Sequence, residues 1–426
     1  MERDICAFAP THELKRPTTQ LKKSISTFDD PDPHLYYKIL SIVAIALTLT
    51  SCTKMPMQSV KQTDNACKKN SPEAYVTKIV QDMGNRPPLD DELAFAKKKD
   101  FSPDAFIEYV SKTPLIDDAI AKFVANLFRL ASLSAKEGES PQLTMDLMQE
   151  PIVLVQKNKE KPWSYFFTTE DIFCTQETAA LYGYPKSSVP GFVSCKVPKE
   201  RGGFLSLISI LRVTSPAENP QAFYLTGNNY HRVKSTIYFA TGKQIASATD
   251  GPKGDENDLV PLAACVPTSD MRKKDGLVYG TASVPLEGRA CSACHSRHMA
   301  PLSVAFRQFG PAGELLTPAA LDEIQNPNFD LPMSDMKAIM QENKSCWAAR
   351  DETAETQFVG LKGLGQVIAL NADLGDALGR QIPQNMANIE PTSNQISAIK
   401  TSYEKGGKTL LAAMQGFFTS ERYTCQ

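Results

Sequence analysis

Cys291-Ser292-Ala293-Cys294-His295 (CSACH) sets two thiols three residues apart, with an imidazole directly after the second. On a helix, side chains at i and i+3 share a face. Both sulfurs can then form thioethers with the two vinyl groups of one porphyrin, while His295 comes under the iron. The pentapeptide therefore reads as a covalent attachment site for one haem c, held by Cys291 and Cys294 with His295 as proximal ligand. Ten cysteines and five histidines in 426 residues give such a pattern by chance roughly 0.003 times per chain. Two other uses of paired cysteines are less well served. A redox dithiol wants a thioredoxin-like βαβ setting, and a structural zinc site wants a second ligand pair; neither is legible in the chain. A neutral His295 bound to iron through one ring nitrogen needs a carbonyl to hold the other N–H, and Pro301 is the candidate for supplying it.

The sixth iron ligand must come from elsewhere, because His298 and Met299 follow His295 too closely to reach the opposite face of a haem. Met333 lies 38 residues on, in Leu331-Pro332-Met333, and its spacing and proline resemble the distal loop of small class I cytochromes c. Met336, Met340 and His231 are the alternatives, and an open site is a further one. A methionine would raise the reduction potential and close the iron to small molecules, which suits electron transfer. An open site would suit a peroxidase- or oxygenase-like enzyme, and a third option is a surface binding protein with structural haem. No residue is assigned a catalytic role. The chain has no Gly-rich phosphate loop, no G-x-S-x-G and no H-E-x-x-H. The Gly- and Asp-rich residues 250–259 lack the ligand register of an EF-hand and read as a solvated loop.

Charge and cysteine usage bear on compartment. With 46 Lys+Arg against 48 Asp+Glu the formal charge is -2, far from the basic excess that phosphate backbones select, so no nucleic-acid partner is expected. Residues 39–49 form an apolar run of 11, shorter than the ~20 needed to span a bilayer and of the length of a secretory core with Lys38 before it. The run ends in Leu49-Thr50-Ser51-Cys52, which resembles the lipobox of bacterial lipoproteins. Cys52 would then carry the lipid and begin the mature chain, anchoring it stably to a membrane. Thr53 after it, rather than aspartate, points to the outer membrane, on its periplasmic or cell-surface side. The polar residues 1–36 are unusual before a signal, and a start near Leu35 would account for them. Residues 1–51 hold six basic and six acidic residues, so their removal leaves the charge at -2. In an oxidising compartment Cys67, Cys174, Cys195, Cys265, Cys346 and Cys425 can form up to three disulfides, with 15 possible pairings.

Helical periodicity dominates the remainder and makes the fold class mainly α, with helical modules around a cytochrome c-like segment, long loops and little strand. The expected organisation is a leader and signal over 1–51, a tether over 52–70 and an N-terminal helical module over 71–140. A middle helix-and-loop module over 141–288, the haem segment over 289–350 and a C-terminal helical module over 351–426 follow. Ser71-Pro72 caps a helix over 73–83 that Gly84 ends. Ile116, Ile120, Phe123, Val124 and Leu127 mark an amphipathic helix over 115–130. Further helices are expected over 204–213, 231–241, 357–379 and 396–418, with one short strand within 276–284.

Several blocks resemble, in order, the uncharacterised multi-module c-type cytochromes called planctomycete-type. They are Phe166-Phe167-Thr168-Thr169-Glu170-Asp171, then Ala179-Ala180-Leu181-Tyr182-Gly183-Tyr184-Pro185, then Arg201-Gly202-Gly203-Phe204-Leu205 with Thr214-Ser215-Pro216. CSACH with Pro301-Leu302, Phe306, Phe309-Gly310 and Gly313 resembles the family's haem block. Ala377-Leu378-Gly379-Arg380 and Ser420-Glu421-Arg422-Tyr423 resemble its last module. The chain departs from that pattern at Ala300, where the family has an acidic residue before the proline, and over 238–249, where the family has a proline-rich run. The resemblance spans about residues 72–424 and implies membrane-associated electron transfer with an unknown redox partner.

Overall fold

The computed structural model describes residues 69–136, 138–184, 189–196, 198, 200–215, 229–243, 272–274, 277–279, 302, 304–306, 308–316, 344–347 and 356–425. Of residues 229–230, 272–274, 277–279, 304, 344–347 and 356–357 it describes the backbone alone. All of them fall in one unit, Ala66–Gln426. Among the described residues, 63% are helical and 7% strand, so the fold is mainly α.

One device starts three of the helices. Helix α1 (Pro72–Gly84), α3 (Pro103–Val110) and α5 (Pro141–Lys157) each begin with Ser-Pro. The serine hydroxyl accepts an orphan N–H, from Ala74, Ala105 and Leu143 respectively, at 3.1–3.2 Å. The proline fills a first-turn position that needs no donor. Between them lie α2 (Asp90–Ala96) and α4 (Leu115–Leu127). The stripe Ile116, Ile120, Phe123, Val124 and Leu127 is buried as its periodicity requires. Helix α4 stops three residues short of the expected end because Arg129 turns left-handed (φ 54°). Likewise α1 is closed by Asn85 in the left-handed region (φ 51°), one residue after Gly84.

The next stretch is α6 (Tyr165–Thr168), β1 (Asp171–Cys174), α7 (Gln176–Leu181), β2 (Val193–Lys196), α8 (Ile208–Val213) and α9 (Asn229–Thr241). The expected helix over 204–213 is broken: Phe204–Ser206 is a 3-10 turn and Leu207 is extended before α8. Strands β1 and β2 pair antiparallel, Ile172 opposite Cys195, and a Cys174–Cys195 disulfide joins them. Strands β3 (Arg272–Lys274) and β4 (Leu277–Tyr279) pair likewise, as do β5 (Lys344–Trp347) and β6 (Thr356–Val359). Residues 357–359, the start of the helix expected over 357–379, are thus strand, and the rest of that expected helix is interrupted between Asn371 and Leu374. The C-terminal part continues with α10 (Gly360–Asn371), α11 (Leu374–Ala387), α12 (Ser393–Lys405), α13 (Leu410–Phe418) and α14 (Glu421–Thr424). The expected single helix over 396–418 is two, because Gly406, Gly407 and Lys408 make a turn, the last two with positive φ.

Sequence-distant helices share one core. Helix α4 packs on α1, α5 and α11; α11 packs on α9, α12 and α13; and α13 touches α3. The chain ends meet too, since Asn70 N–H donates to Thr424 O at 3.0 Å and Lys69 pairs with Cys425. Cys425 is disulfide-bonded to a residue outside the described ones. Cys346 stands in β5, while Cys52, Cys67 and Cys265 lie outside the described residues. No described helix is long and apolar enough to cross a membrane.

Candidate functional site

Cys291, Cys294, His295, Pro301, Met333, Met336, Met340 and the lipidation candidate Cys52 lie outside the described residues. His231 is described, on an exposed position of α9. Partial desolvation, and secondly the neighbouring Lys234, hold its imidazole below the ordinary histidine value. Among the described residues no three His, Cys, Asp or Glu side chains form a metal-binding group.

The chain after Cys291-x-x-Cys294-His295 is described from Leu302. Leu302, Ala305, Phe306 and Phe309 are buried, and the 3-10 turn Val304–Phe306 packs on α10. Residues 308–316 then close on themselves. Phe309 bridges Leu315, Gly310 N–H donates to Glu314 O at 2.9 Å, and Gly313 N–H donates to Gly310 O at 3.0 Å.

Three buried arginines from separate stretches donate to main-chain carbonyls of this loop. Arg232, on α9, reaches Phe309 O (Nη1, 2.9 Å) and Gly310 O (Nη2, 2.6 Å). Arg212, on α8, reaches Ala312 O through Nε at 2.9 Å and forks onto Glu139 at 2.8 and 2.9 Å. Despite desolvation, that fork keeps the Glu139 carboxyl below its ordinary value. Arg201 reaches Ser206 O (Nη1, 2.6 Å) and Gly313 O (Nη2, 2.5 Å). A carbonyl oxygen offers a guanidinium only a partial charge. Burying a cation costs several kcal/mol unless its partners compensate, so four carbonyls held this way mark a loop whose position the fold fixes strongly.

Arg201 is the extreme case. It is 1% exposed and its guanidinium lies over two rings, 5.2 Å from the centre of Tyr182 and 4.9 Å from that of Phe309. Such contacts return part of the desolvation cost of a cation. It makes no ion pair with a carboxylate among the described residues, and burial, first, pulls its pKa down. Behind Tyr182 sits Glu150, fully buried on α5, which accepts from the Tyr182 hydroxyl at 2.9 Å; that hydroxyl in turn accepts from Ile208 N–H at 3.1 Å. Burial pushes Glu150 up to about 8, against the opposing Tyr182 bond and Arg201 charge. At neutral pH the carboxyl is therefore mostly protonated.

Local sequence makes this arrangement possible. Gly203 takes φ +60°, and a Cβ there would meet the Phe167 carbonyl at 2.3 Å, so only glycine lets the turn back onto α6. Its N–H donates to Thr169 O at 2.7 Å. The turn then delivers Phe204 into a nest of rings: stacked on Phe166 (5.3 Å), and 5.4 and 4.8 Å from Trp163 and Phe128. Gly313, at φ +77°, presses its backbone against Ile208 of α8. Four of the blocks quoted above thereby meet: residues 166–171 and 179–184 surround the 201–205 turn, which holds the loop carrying Phe309, Gly310 and Gly313.

Arg201, Arg212, Arg232, Glu150 and Tyr182 are not legible as a set from sequence. A usable signal is an arginine set within a mostly apolar run, as Arg212 is between Ile210-Leu211 and Val213.

No protein-family model matches the chain, and no curated protein and no solved structure matches it.

The donor set of the motif suits covalent haem: two thiols and an imidazole, with a chain that goes on into a buried, tightly held segment.

Proposed function

We propose that the protein is an exported, lipid-anchored, mono-haem c-type cytochrome that passes electrons to or from a redox partner at a bacterial outer membrane. The observation that carries this reading is the sequence Cys291-x-x-Cys294-His295. Cys291 and Cys294 would hold the porphyrin and His295 its iron, with Met333 as the first choice for the opposite face and Met336, Met340 or His231 behind it. The haem, when bound, supplies a one-electron couple. The rest of the chain supports the reading by fixing the segment that leaves the motif, since electron transfer benefits from a cofactor site that does not reorganise. Cys52 would tie the body to the membrane.

The test is expression in a bacterium able to mature c-type cytochromes. The expected protein shows a Soret band, peroxidase-active staining on a denaturing gel and an intact mass raised by one haem; Cys291→Ser reduces the covalent haem and Cys291→Ser/Cys294→Ser abolishes it. A full-length, folded product with neither Soret band nor mass increment overturns the reading. In the reduced protein, slow or negligible carbon monoxide binding is expected of a methionine-closed site; rapid stoichiometric binding favours the open-site enzyme instead.

A further inference from the structure

We propose that residues 175–184 form a proton-gated latch: α7 is closed onto α5 through two buried carboxyls, Asp146 and Glu150, and its far end lifts when Glu150 loses its proton. Haem binding plays no part in it.

Asp146 and Glu150 lie one turn apart on α5, and both are buried. The residues after β1 close over them. The Thr175 hydroxyl donates to Asp146 Oδ2 at 2.6 Å, and the Tyr182 hydroxyl donates to Glu150 Oε2 at 2.9 Å. Between these two bonds α7 buries only Thr178 and Ala179, so little apolar area holds the helix and the carboxyls carry much of its docking. Its near end is fixed, because Cys174 is fully buried and joined to Cys195 of β2. An opening therefore pivots near Thr175 and frees Tyr182.

The two carboxyls are not equivalent. Both oxygens of Asp146 have donors, the Gln142 amide on Oδ1 at 2.6 Å and Thr175 on Oδ2, which suits a charged carboxylate. Glu150 Oε1 has no hydrogen-bond partner among the described residues. Ionised there, Glu150 would set a second negative charge one turn from Asp146 with an unsolvated oxygen, a state that water must relieve. The other groups that face it are Tyr182 and Thr178 of α7 and Arg201, whose charge opposes the effect only in part. Charges on the other elements packed against α5 are engaged elsewhere. Asp117 of α4 pairs with Lys159, Asp118 bears on Arg86, Lys122 reaches Asp82 O, and Arg212 of α8 pairs with Glu139. Asp171 of β1 and Glu177 of α7 are exposed. Burial accordingly raises the Glu150 value from 4.5 to about 8. With Tyr182 lifted and Glu150 hydrated, the open form releases a proton that the closed form holds, so rising pH favours opening up to about pH 8 and no further.

Native-state amide hydrogen exchange on the full chain, read as protection relative to intrinsic amide rates, tests this. The hydrogen-bonded amides of residues 179–184 are expected to exchange ahead of those of α12, through an opening insensitive to low urea, as a small local motion is. The population of that opening is expected to grow about tenfold per pH unit from about pH 5 to about pH 7.5 and to level off above about pH 8, since one proton is released. Glu150→Gln, which keeps an acceptor for Tyr182 and cannot ionise, is expected to abolish the pH dependence at 179–184. Asp146→Asn, which removes the neighbouring charge, is expected to lower the pH at which the opening levels off. Should Glu150→Gln not fold, the wild-type profile and Asp146→Asn still decide. Exchange of 179–184 only together with α12, protection there that is independent of pH in the wild type, or a pH dependence that persists in Glu150→Gln overturns the proposal. A levelling-off at the same pH in Asp146→Asn as in the wild type overturns it as well, because the two carboxyls would then not act together.

Discussion

The body built from α1, α4 and α11–α13 and the junction around residues 201–215 and 302–316 are both buried, yet different forces hold them. In the body, apolar stripes meet: Ile116, Ile120, Phe123 and Val124 of α4 are buried together with Leu378 and Ile382 of α11, and side-chain oxygens of Ser71, Asp373, Thr392 and Thr409 cap the starts of α1, α11, α12 and α13. In the junction, guanidinium groups hold carbonyl oxygens, and a protonable carboxyl lies behind them. Packing of the first kind is roughly proportional to area and forgiving of shape. Packing of the second kind depends on each donor having its acceptor, since an orphaned polar atom in a low-dielectric interior is expensive. The body therefore supplies bulk stability, and the junction fixes the position of the segment from Leu302 to Leu316.

The largest effect that sharpens this contrast belongs to Glu150. Its folded-state value, about 8 against 4.5 for the ordinary group, means that the native state holds a proton the unfolded chain has released. Stability from this group is thus greatest below about pH 4.5, is lost as pH rises, and levels off above about pH 8. A shift of this size corresponds to roughly 4–5 kcal/mol at full expression. Glu150→Gln keeps an acceptor for Tyr182 and removes the charge. Urea unfolding followed from pH 4 to pH 9 is expected to show the variant equal to wild type at the acid end and progressively more stable above it. Parallel stability curves for the two proteins would place Glu150 in contact with water and break the comparison.

Next in size is Arg201→Met, similar in volume and without donors. It leaves the Ser206 and Gly313 carbonyls unpaired, for an expected loss of about 3 kcal/mol in urea unfolding. The matched change in the body, Ile120→Leu, keeps volume and chemistry and is expected to cost under about 1.5 kcal/mol. Equal losses at the two positions would mean that the junction, too, is held by area alone.

The same division decides how much was readable beforehand. The stripe of α4 and the Ser71-Pro72 start are local patterns with a period or a dipeptide as their signal, so the mainly helical class follows from them. Boundaries were less readable where a single residue turns the backbone: Arg129 and Asn85 go left-handed, and neither is a glycine. The break at Leu207 and the strand over residues 356–359 were missed because an apolar run suits helix and strand alike. Cys291-x-x-Cys294-His295 can be proposed as a haem motif because all the chemistry it would need is contained in five consecutive residues. Arg201, Arg212, Arg232, Glu150 and Tyr182 were not, because each finds its partner 5 to 112 residues away, and no spacing rule links a guanidinium to a carbonyl in another segment.

The smallest expected effect tests the helix starts, in α1 of the body and in α3 and α5 beside it. Ser71, Ser102 and Ser140 each accept one N–H at the start of α1, α3 and α5, and none shares a hydrogen-bond partner with the others. Removing one hydroxyl leaves one of the four orphan donors of a helix terminus to water, at about 1 kcal/mol. Ser71→Ala is therefore expected to lower stability by that amount, and the triple alanine variant by about three times as much, because sites without common partners add. The hydroxyls do not touch the 308–316 loop, so the loss should appear as a uniform drop in global unfolding, with local exchange at 308–316 unaltered. If the triple variant instead loosens that loop before the body unfolds, body and junction are one cooperative unit, and the guanidinium contacts merely register a stability that the helices set.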